Sequence, residues 1–144
     1  MRHETKILKT SDGQSIDIDI KIAPLIEAIW NAGIKTTFSC EQEEDKKMAY
    51  IQFTPEELPK FLDRILIPLK DLELPDFPSM PYPYYVFEYK LYPHFSTSEN
   101  KTTMQTMLYF EIEDVFLLTR LVIDKNSIDK DLLKTHFLAR YKNP

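Results

Sequence analysis

Apolar and polar residues alternate near the start of the chain. Over residues 15–20 the isoleucines share one side of an extended strand and the two aspartates share the other. Residues 11–14, which read Ser-Asp-Gly-Gln, are typical of a tight turn between two strands. We therefore expect a β-hairpin here, with Ile16, Ile18 and Ile20 on its inner side.

The hydrophobic period becomes that of a helix after the hairpin. Apolar residues recur at helical spacing over residues 22–30, and Pro24 lies near the start. Gly33 follows as the expected residue just past the helix, with positive φ. Residues 34–40 and 49–53 are rich in β-branched and aromatic side chains, so they predict two strands separated by a polar loop.

A second amphipathic helix is predicted after these strands. Thr54 and Glu57 have the spacing of a capping box, and Pro55 takes the first helical position. Its apolar stripe consists of Leu58, Phe61, Leu62, Ile65, Leu66 and Leu69. Pro68 should kink or end this helix, and the prolines of residues 71–83 predict an extended, stiff connection.

The second half of the chain predicts two more strands and a helical end. Residues 84–92 alternate as a strand, and residues 104–113 repeat the pattern. Residues 114–125 are so densely apolar that their period is obscured, but the acidic pair at their start favours a helix. A last helix is expected from Ser127. The side chains expected to be buried are Tyr85, Phe87, Tyr89 and Leu91 on the first strand, Met104, Thr106, Leu108, Phe110 and Ile112 on the second, and Ile128, Leu132, Leu133, Phe137 and Tyr141 on the last helix.

This order of elements predicts an α+β fold. A helix followed by two strands occurs twice, in residues 22–53 and 54–113. Antiparallel hairpins with helices on one face give a two-layer sandwich with a mostly antiparallel sheet. Neither half buries enough to be stable alone. We therefore expect residues 1–144 to form one domain whose sheet takes strands from both halves.

Composition excludes several classes of function. The chain has 144 residues, 43% of them hydrophobic, and a net charge of −5, so it can build a core but has no global field for a polyanion. Two glycines are too few for a phosphate-binding loop or a dinucleotide fingerprint. One cysteine and three histidines do not make a cysteine-type zinc site or an internal disulfide. We expect no cofactor, no metal, no membrane span and a cytoplasmic location.

One segment resembles a group of small uncharacterised bacterial and phage proteins. In that group an apolar helix ending Leu-Trp-x-x-Gly leads to a strand ending Ser-Cys, a polar loop and a short strand ending in Phe. The matching positions within residues 22–53 are Trp30, Gly33, Thr36, Ser39, Cys40 and Phe53. Ile29 replaces the usual Leu, and acidic residues 41–44 replace a Gln-Gly turn. The Ser-Cys strand end is also similar to the wybutosine-pathway tRNA-modifying proteins. The resemblance to the first group implies a fold neighbourhood and no assigned activity.

Cys40 is the candidate for reactive chemistry. A nucleophilic thiol needs a basic neighbour or a histidine, whereas the residues after Cys40 are acidic and oppose its ionisation. We favour a structural thiol at the end of a strand. The alternative is a small enzyme or ligand-binding domain whose site uses Trp30, Ser39, Cys40 and Glu41, with His94 or His136 as the general base.

Aromatic side chains crowd residues 82–92. If one face of that strand is core, the opposite face presents Tyr84, Glu88, Lys90 and Tyr92, a composition typical of protein interfaces. Such rings also stack nucleobases, but Lys90 alone supplies positive charge among them. A third reading has the last helices covering this face. We predict a non-enzymatic protein-interaction or regulatory module, with a homodimer as one form, ahead of an enzyme and of an RNA-contacting domain.

Overall fold

The first hairpin forms a two-stranded antiparallel sheet. In the computed structural model, which describes residues 4–41, 48–72 and 89–141, β1 covers Thr5–Lys9 and β2 covers Ser15–Asp19. Ile18 is buried, but Ile16 and Ile20 are 37% and 43% exposed, so the expected inner face is only partly correct. Ile20 lies past the end of β2, and Ile16 lies near the turn, opposite the buried Leu8.

Helix α1 covers Ala23–Asn31 and ends in a Schellman motif. The Ile34 N–H donates to the Ile29 carbonyl at 3.1 Å, and the Gly33 N–H donates to the Trp30 carbonyl at 3.0 Å. Gly33 has a φ of 81°, which a residue without Cβ adopts at no steric cost. The prediction for Gly33 is confirmed.

The main sheet joins strands from both halves of the chain. Its order is β3-β4-β6-β5, and all neighbouring strands are antiparallel. The strands are β3 Phe38–Cys40, β4 Met48–Phe53, β5 Lys90–Ser98 and β6 Lys101–Glu111. The pairing of β4 with β6 brings the two helix-strand-strand units into one sheet. The α+β class and its antiparallel sheet are confirmed.

Two strand predictions need correction. The strand expected over residues 34–40 begins only at Phe38, because the chain first completes the α1 cap and then turns. Within the described residues, the strand expected over residues 84–92 begins at Lys90. The expected interior positions Tyr85 and Phe87 lie outside the described residues. Leu91 is 46% exposed rather than buried, because it lies on an edge strand that is exposed throughout.

The remaining helices are α2 Leu58–Ile65, α3 Val115–Asp124 and α4 Lys130–Tyr141. The helix predicted over residues 114–125 is confirmed. The capping box is wrong: the Thr54 carbonyl accepts from the backbone N–H groups of Glu57 and Leu58, and no side chain caps α2. The helix begins at Leu58 instead, which places Pro59 in the first turn, where its missing N–H costs nothing.

The helices pack on one side of the main sheet. On that inner side, Ala49, Ile51 and Phe53 of β4 and Leu108 and Phe110 of β6 are at most 1% exposed. The helices contribute Leu25, Ile26, Ile29, Phe61, Ile65, Leu118, Leu121, Leu133 and Phe137 to the same core. Each fully buried side chain of this size stabilises the fold by ~1.5–3 kcal/mol.

Two further predicted interior positions differ from the structure. Met104 is 42% exposed, because β6 extends past the end of β4, and Leu132 is 38% exposed on α4. The Tyr141 side chain lies outside the described residues. The proline-rich connection expected over residues 71–83 also falls outside them from residue 73 onward.

Candidate interaction surface

Four aromatic side chains cross the outer side of the main sheet, opposite the helices. Alternation along each strand puts them there: Tyr50 lies between the buried Ala49 and Ile51, and Tyr109 lies between the buried Leu108 and Phe110. Tyr50 and Tyr109 are direct cross-strand partners on the two central strands. We call Phe38, Tyr50, Tyr109 and Tyr92 the aromatic row; it takes one residue from each of β3, β4, β6 and β5.

Neighbouring rings of the row are in contact. The ring centroids are 6.0 Å apart for Phe38 and Tyr50, 5.4 Å for Tyr50 and Tyr109, and 5.4 Å for Tyr109 and Tyr92. The first pair is stacked and the last is edge-to-face, the two arrangements that the ring quadrupole favours. The rings therefore stabilise one another's positions.

The ends of the row are its most exposed parts. Phe38 is 57% exposed and Tyr92 is 52% exposed, while Tyr50 and Tyr109 are half-buried between their neighbours. Contiguous exposed aromatic area is uncommon on a solvated surface and is enriched where proteins associate.

Polar side chains flank the row. Gln52 and Gln105 lie on the same outer side, and the Thr37 hydroxyl lies 3.1 Å from the Gln52 carbonyl oxygen and 3.2 Å from Gln105 Oε1. The charged side chains among the described outer positions of the strands are Lys90, Lys101 and Glu111. The surface is thus aromatic, rich in amides and hydroxyls, and close to electrically neutral.

The interface residues expected from the sequence lie in part on this surface. Tyr92 belongs to the aromatic row, and Lys90 is the direct cross-strand partner of Tyr109. Tyr84 and Glu88 lie outside the described residues. Sequence reasoning missed Phe38, Tyr50 and Tyr109, although the alternation of residues 48–53 already sets Tyr50 apart from the buried positions on either side.

The structure does not bring Cys40 and His94 together. Cys40 lies on the edge strand β3 and His94 on the opposite edge strand β5, with two strands between them. With ~4.8 Å between strands and ~3.4 Å per residue along them, the two side chains are separated by about 20 Å. A thiol and a base at that distance do not exchange a proton directly.

The other residues expected near Cys40 lie in different parts of the fold. Ser39 is opposite Ile51 and so lies on the inner side of the sheet, whereas Cys40 is opposite Tyr50 on the outer side. The Trp30 indole Nε1 donates to Thr36 Oγ1 at 3.0 Å, on the turn after α1. These side chains do not converge on one pocket.

Glu41 is buried at the end of β3, where it contacts the first hairpin. It is 4% exposed, and its Oε2 accepts a hydrogen bond from the Lys21 N–H at 2.9 Å. Its own N–H donates to Asp19 Oδ2 at 2.8 Å. Glu41 therefore connects the two sheets.

A groove of about 630 Å³ lies on the helical side, between α1, α2 and α3. Its polar lining includes Glu27, Asn31 and Arg64, and the Arg64 guanidinium donates to the Val122 carbonyl at 2.9 Å near the end of α3. Arg64 thus satisfies a helix terminus, and the groove is lined by side chains of both charges.

Two further features of the described residues concern metal ions and membranes. In the part of the chain that the structure describes, no group of three or more His, Cys, Asp and Glu side chains is placed to hold a metal ion. None of the described helices has the length and apolar character needed to cross a membrane.

Comparison with known proteins gives one informative match. The chain is similar to the uncharacterized protein R428 of Acanthamoeba polyphaga mimivirus, with 34% identity over 65 residues. The match covers 43% of this chain and 34% of that protein, so the chain spans about a third of the relative's length. No protein-family model matches the chain, and no solved structure gives a significant match.

Proposed function

We propose that this protein is a non-enzymatic interaction module that contacts a protein partner through the aromatic row. The observation that carries the proposal is the line of four touching aromatic rings on the side of the sheet away from the helices, with both end rings more than half exposed. Tyrosine supplies a large contact area at low entropic cost, and its hydroxyl stays hydrogen-bonded at the rim of an interface.

The separation of Cys40 from His94 favours this proposal over a thiol enzyme. The charge of the surface favours it over an RNA-contacting domain, because the described outer positions of the strands carry only two lysines, Lys90 and Lys101, beside Glu111, and a phosphate backbone needs several cations. The segment that resembles small bacterial and phage proteins serves the fold in this proposal, since Trp30, Gly33 and Thr36 all stabilise the turn after α1.

Selection of random displayed peptides tests the proposal. The protein is the target, and enriched peptides are then measured against the double variant Phe38→Ser/Tyr92→Ser. Both substitutions are at exposed rings, so the fold should survive them, as thermal unfolding will check. Phe95→Ser is the matched control, because Phe95 is 62% exposed on the same strand as Tyr92 but on the other side of the sheet.

We expect peptides that bind wild type and the Phe95→Ser variant alike and that lose binding to the double variant. Peptides that bind the double variant as tightly as wild type would place the contact elsewhere and overturn the proposal. Failure to enrich any peptide would also count against it.

A further inference from the structure

The size of the aromatic surface favours a short peptide over a folded partner. Four strands at ~4.8 Å spacing, with β4 paired along its 6 residues, give a patch roughly 20 Å on each side. That is about 400 Å², half of the ~800 Å² that each partner buries in a standard stable complex. A second copy of this chain meeting the patch alone would bury too little to form a stable dimer.

The open edge of the sheet does not favour strand addition. The β5–β6 turn has two residues, Glu99 and Asn100, both with positive φ, as in a type I′ turn. In such a hairpin Ser98 and Lys101 are the first hydrogen-bonded pair, and pairing alternates from there. Pro93 then falls at a position whose backbone nitrogen faces away from β6, and proline offers no N–H there.

An added strand would lose a hydrogen bond in the middle of β5. At the other end of the sheet, the N–H of Glu41, which follows β3, is already bound by Asp19. A ligand therefore gains more from lying on the face, across the strands, than from extending an edge.

The chemistry of the face indicates what such a peptide contains. Because this face is close to electrically neutral, a charged peptide would gain no electrostatic attraction from it. The surface offers aromatic rings and the Gln52 and Gln105 amides, which suit a ligand that is apolar but has free carbonyl oxygens. A polyproline II segment has that character, because it has no internal hydrogen bonds and leaves its carbonyls unpaired.

Resting on the function proposed above, we infer that the aromatic row binds an uncharged, proline-rich peptide in the polyproline II conformation. With three ring steps of 5.4–6.0 Å and a rise of ~3.1 Å per residue in that helix, the row is long enough for about six residues. The segment is already extended when free, so binding orders little of it and a small contact area suffices.

Titration of the full chain with decaproline, followed by amide chemical shifts, tests this inference. We expect saturable shifts on β4 and β6 around Tyr50 and Tyr109. A decapeptide of alternating glycine and serine should cause none at the same concentration. The Phe38→Ser/Tyr92→Ser variant should weaken decaproline binding by about tenfold, the loss expected for one well-packed aromatic contact, and Phe95→Ser should not change it.

A parallel titration with decauridylate, a single-stranded RNA, tests nucleic acid as the alternative ligand. Saturable shifts with the oligonucleotide and none with decaproline would overturn the inference in favour of nucleic acid. Shifts with decaproline that map to the helices, or that persist in the double variant, would overturn it as well.

The two proposals fail in different ways. If displayed peptides depend on the aromatic row but contain no proline and decaproline does not bind, only the ligand assignment is wrong. If no peptide depends on the row, both are wrong.

Discussion

Glu41 and Asp19 join the end of β3 to the end of β2. Asp19 Oδ2 accepts from the Glu41 N–H at 2.8 Å, and Glu41 Oε2 accepts from the N–H of Lys21, two residues past Asp19, at 2.9 Å. Each acidic side chain thus binds the backbone of the other's segment. Because Glu41 is 4% exposed, these hydrogen bonds form largely out of water, where an unpaired group is costly.

The first prediction concerns this contact. Glu41→Ala removes the buried carboxylate that accepts from the Lys21 N–H and should lower the free energy of unfolding by ~1–3 kcal/mol, measured by urea denaturation. Glu41→Gln keeps a carbonyl oxygen in place and should cost less. Glu27→Ala, at an exposed position on α1, is the control. Equal losses for all three variants would show that the contact contributes nothing.

Local sequence signals predicted the elements well where neighbours in the chain decide the structure. The helix period of residues 22–30 and the Gly33 signal fixed α1 and its end, because a Schellman motif involves only adjacent residues. The capping box at Thr54 failed for a local reason as well: Pro59 fits the first turn of a helix, and that moves the start of α2 to Leu58.

The aromatic row required information that no local pattern contains. Alternation shows that Tyr50 and Tyr109 oppose buried positions on their own strands. It does not show that β4 and β6 are neighbours, which depends on long-range pairing. The same limit explains why Leu91 was expected in the core: its own strand alternates correctly, but the helices do not cover the edge on which it lies.

The second prediction concerns the end of α1. A Cβ at Gly33 would meet no atom within 4 Å, so a substitution there acts through backbone conformation alone. With φ at 81°, Gly33→Ala should lower the free energy of unfolding by about 1 kcal/mol. Gly33→Asn should cost less, because asparagine tolerates this conformation better. The two variants are compared by thermal and urea unfolding, and an alanine variant as stable as wild type would contradict the assignment.

The third prediction is that substitutions in the β5–β6 turn can make the protein more stable. Glu99 and Asn100 have φ values of 51° and 62°, where type I′ turns prefer Asn-Gly. Glu99→Asn combined with Asn100→Gly should raise the melting temperature, with a gain of about 1 kcal/mol, because asparagine and glycine adopt this left-handed conformation at lower steric cost than the residues they replace. Ser98→Gly is the control, since it introduces glycine within the strand and should destabilise the hairpin. A fall in melting temperature for the turn variant would exclude this turn geometry in solution.

The last prediction concerns Asp124, the last residue of α3, which precedes a short 3₁₀ turn. The Ser127 hydroxyl, and then the Asn126 N–H at 3.1 Å, hydrogen-bond its carboxylate and hold the pKa of Asp124 below its ordinary value. Because the folded pKa is the lower one, this contribution to stability is complete above the pKa of an unfolded aspartate, ~3.9. It is lost as the pH falls through the folded pKa.

Carboxyl carbon shifts measured during an acid titration should therefore place the Asp124 midpoint below that of an unfolded aspartate. Ser127→Ala should move the midpoint upward, because the hydroxyl is the largest cause of the shift. Ser11→Ala, which removes a remote exposed hydroxyl, should leave it unchanged. The group is fully exposed, so water screens the effect and acid stability should change only slightly. A midpoint that stays in place in Ser127→Ala would show that this hydrogen bond does not form in solution.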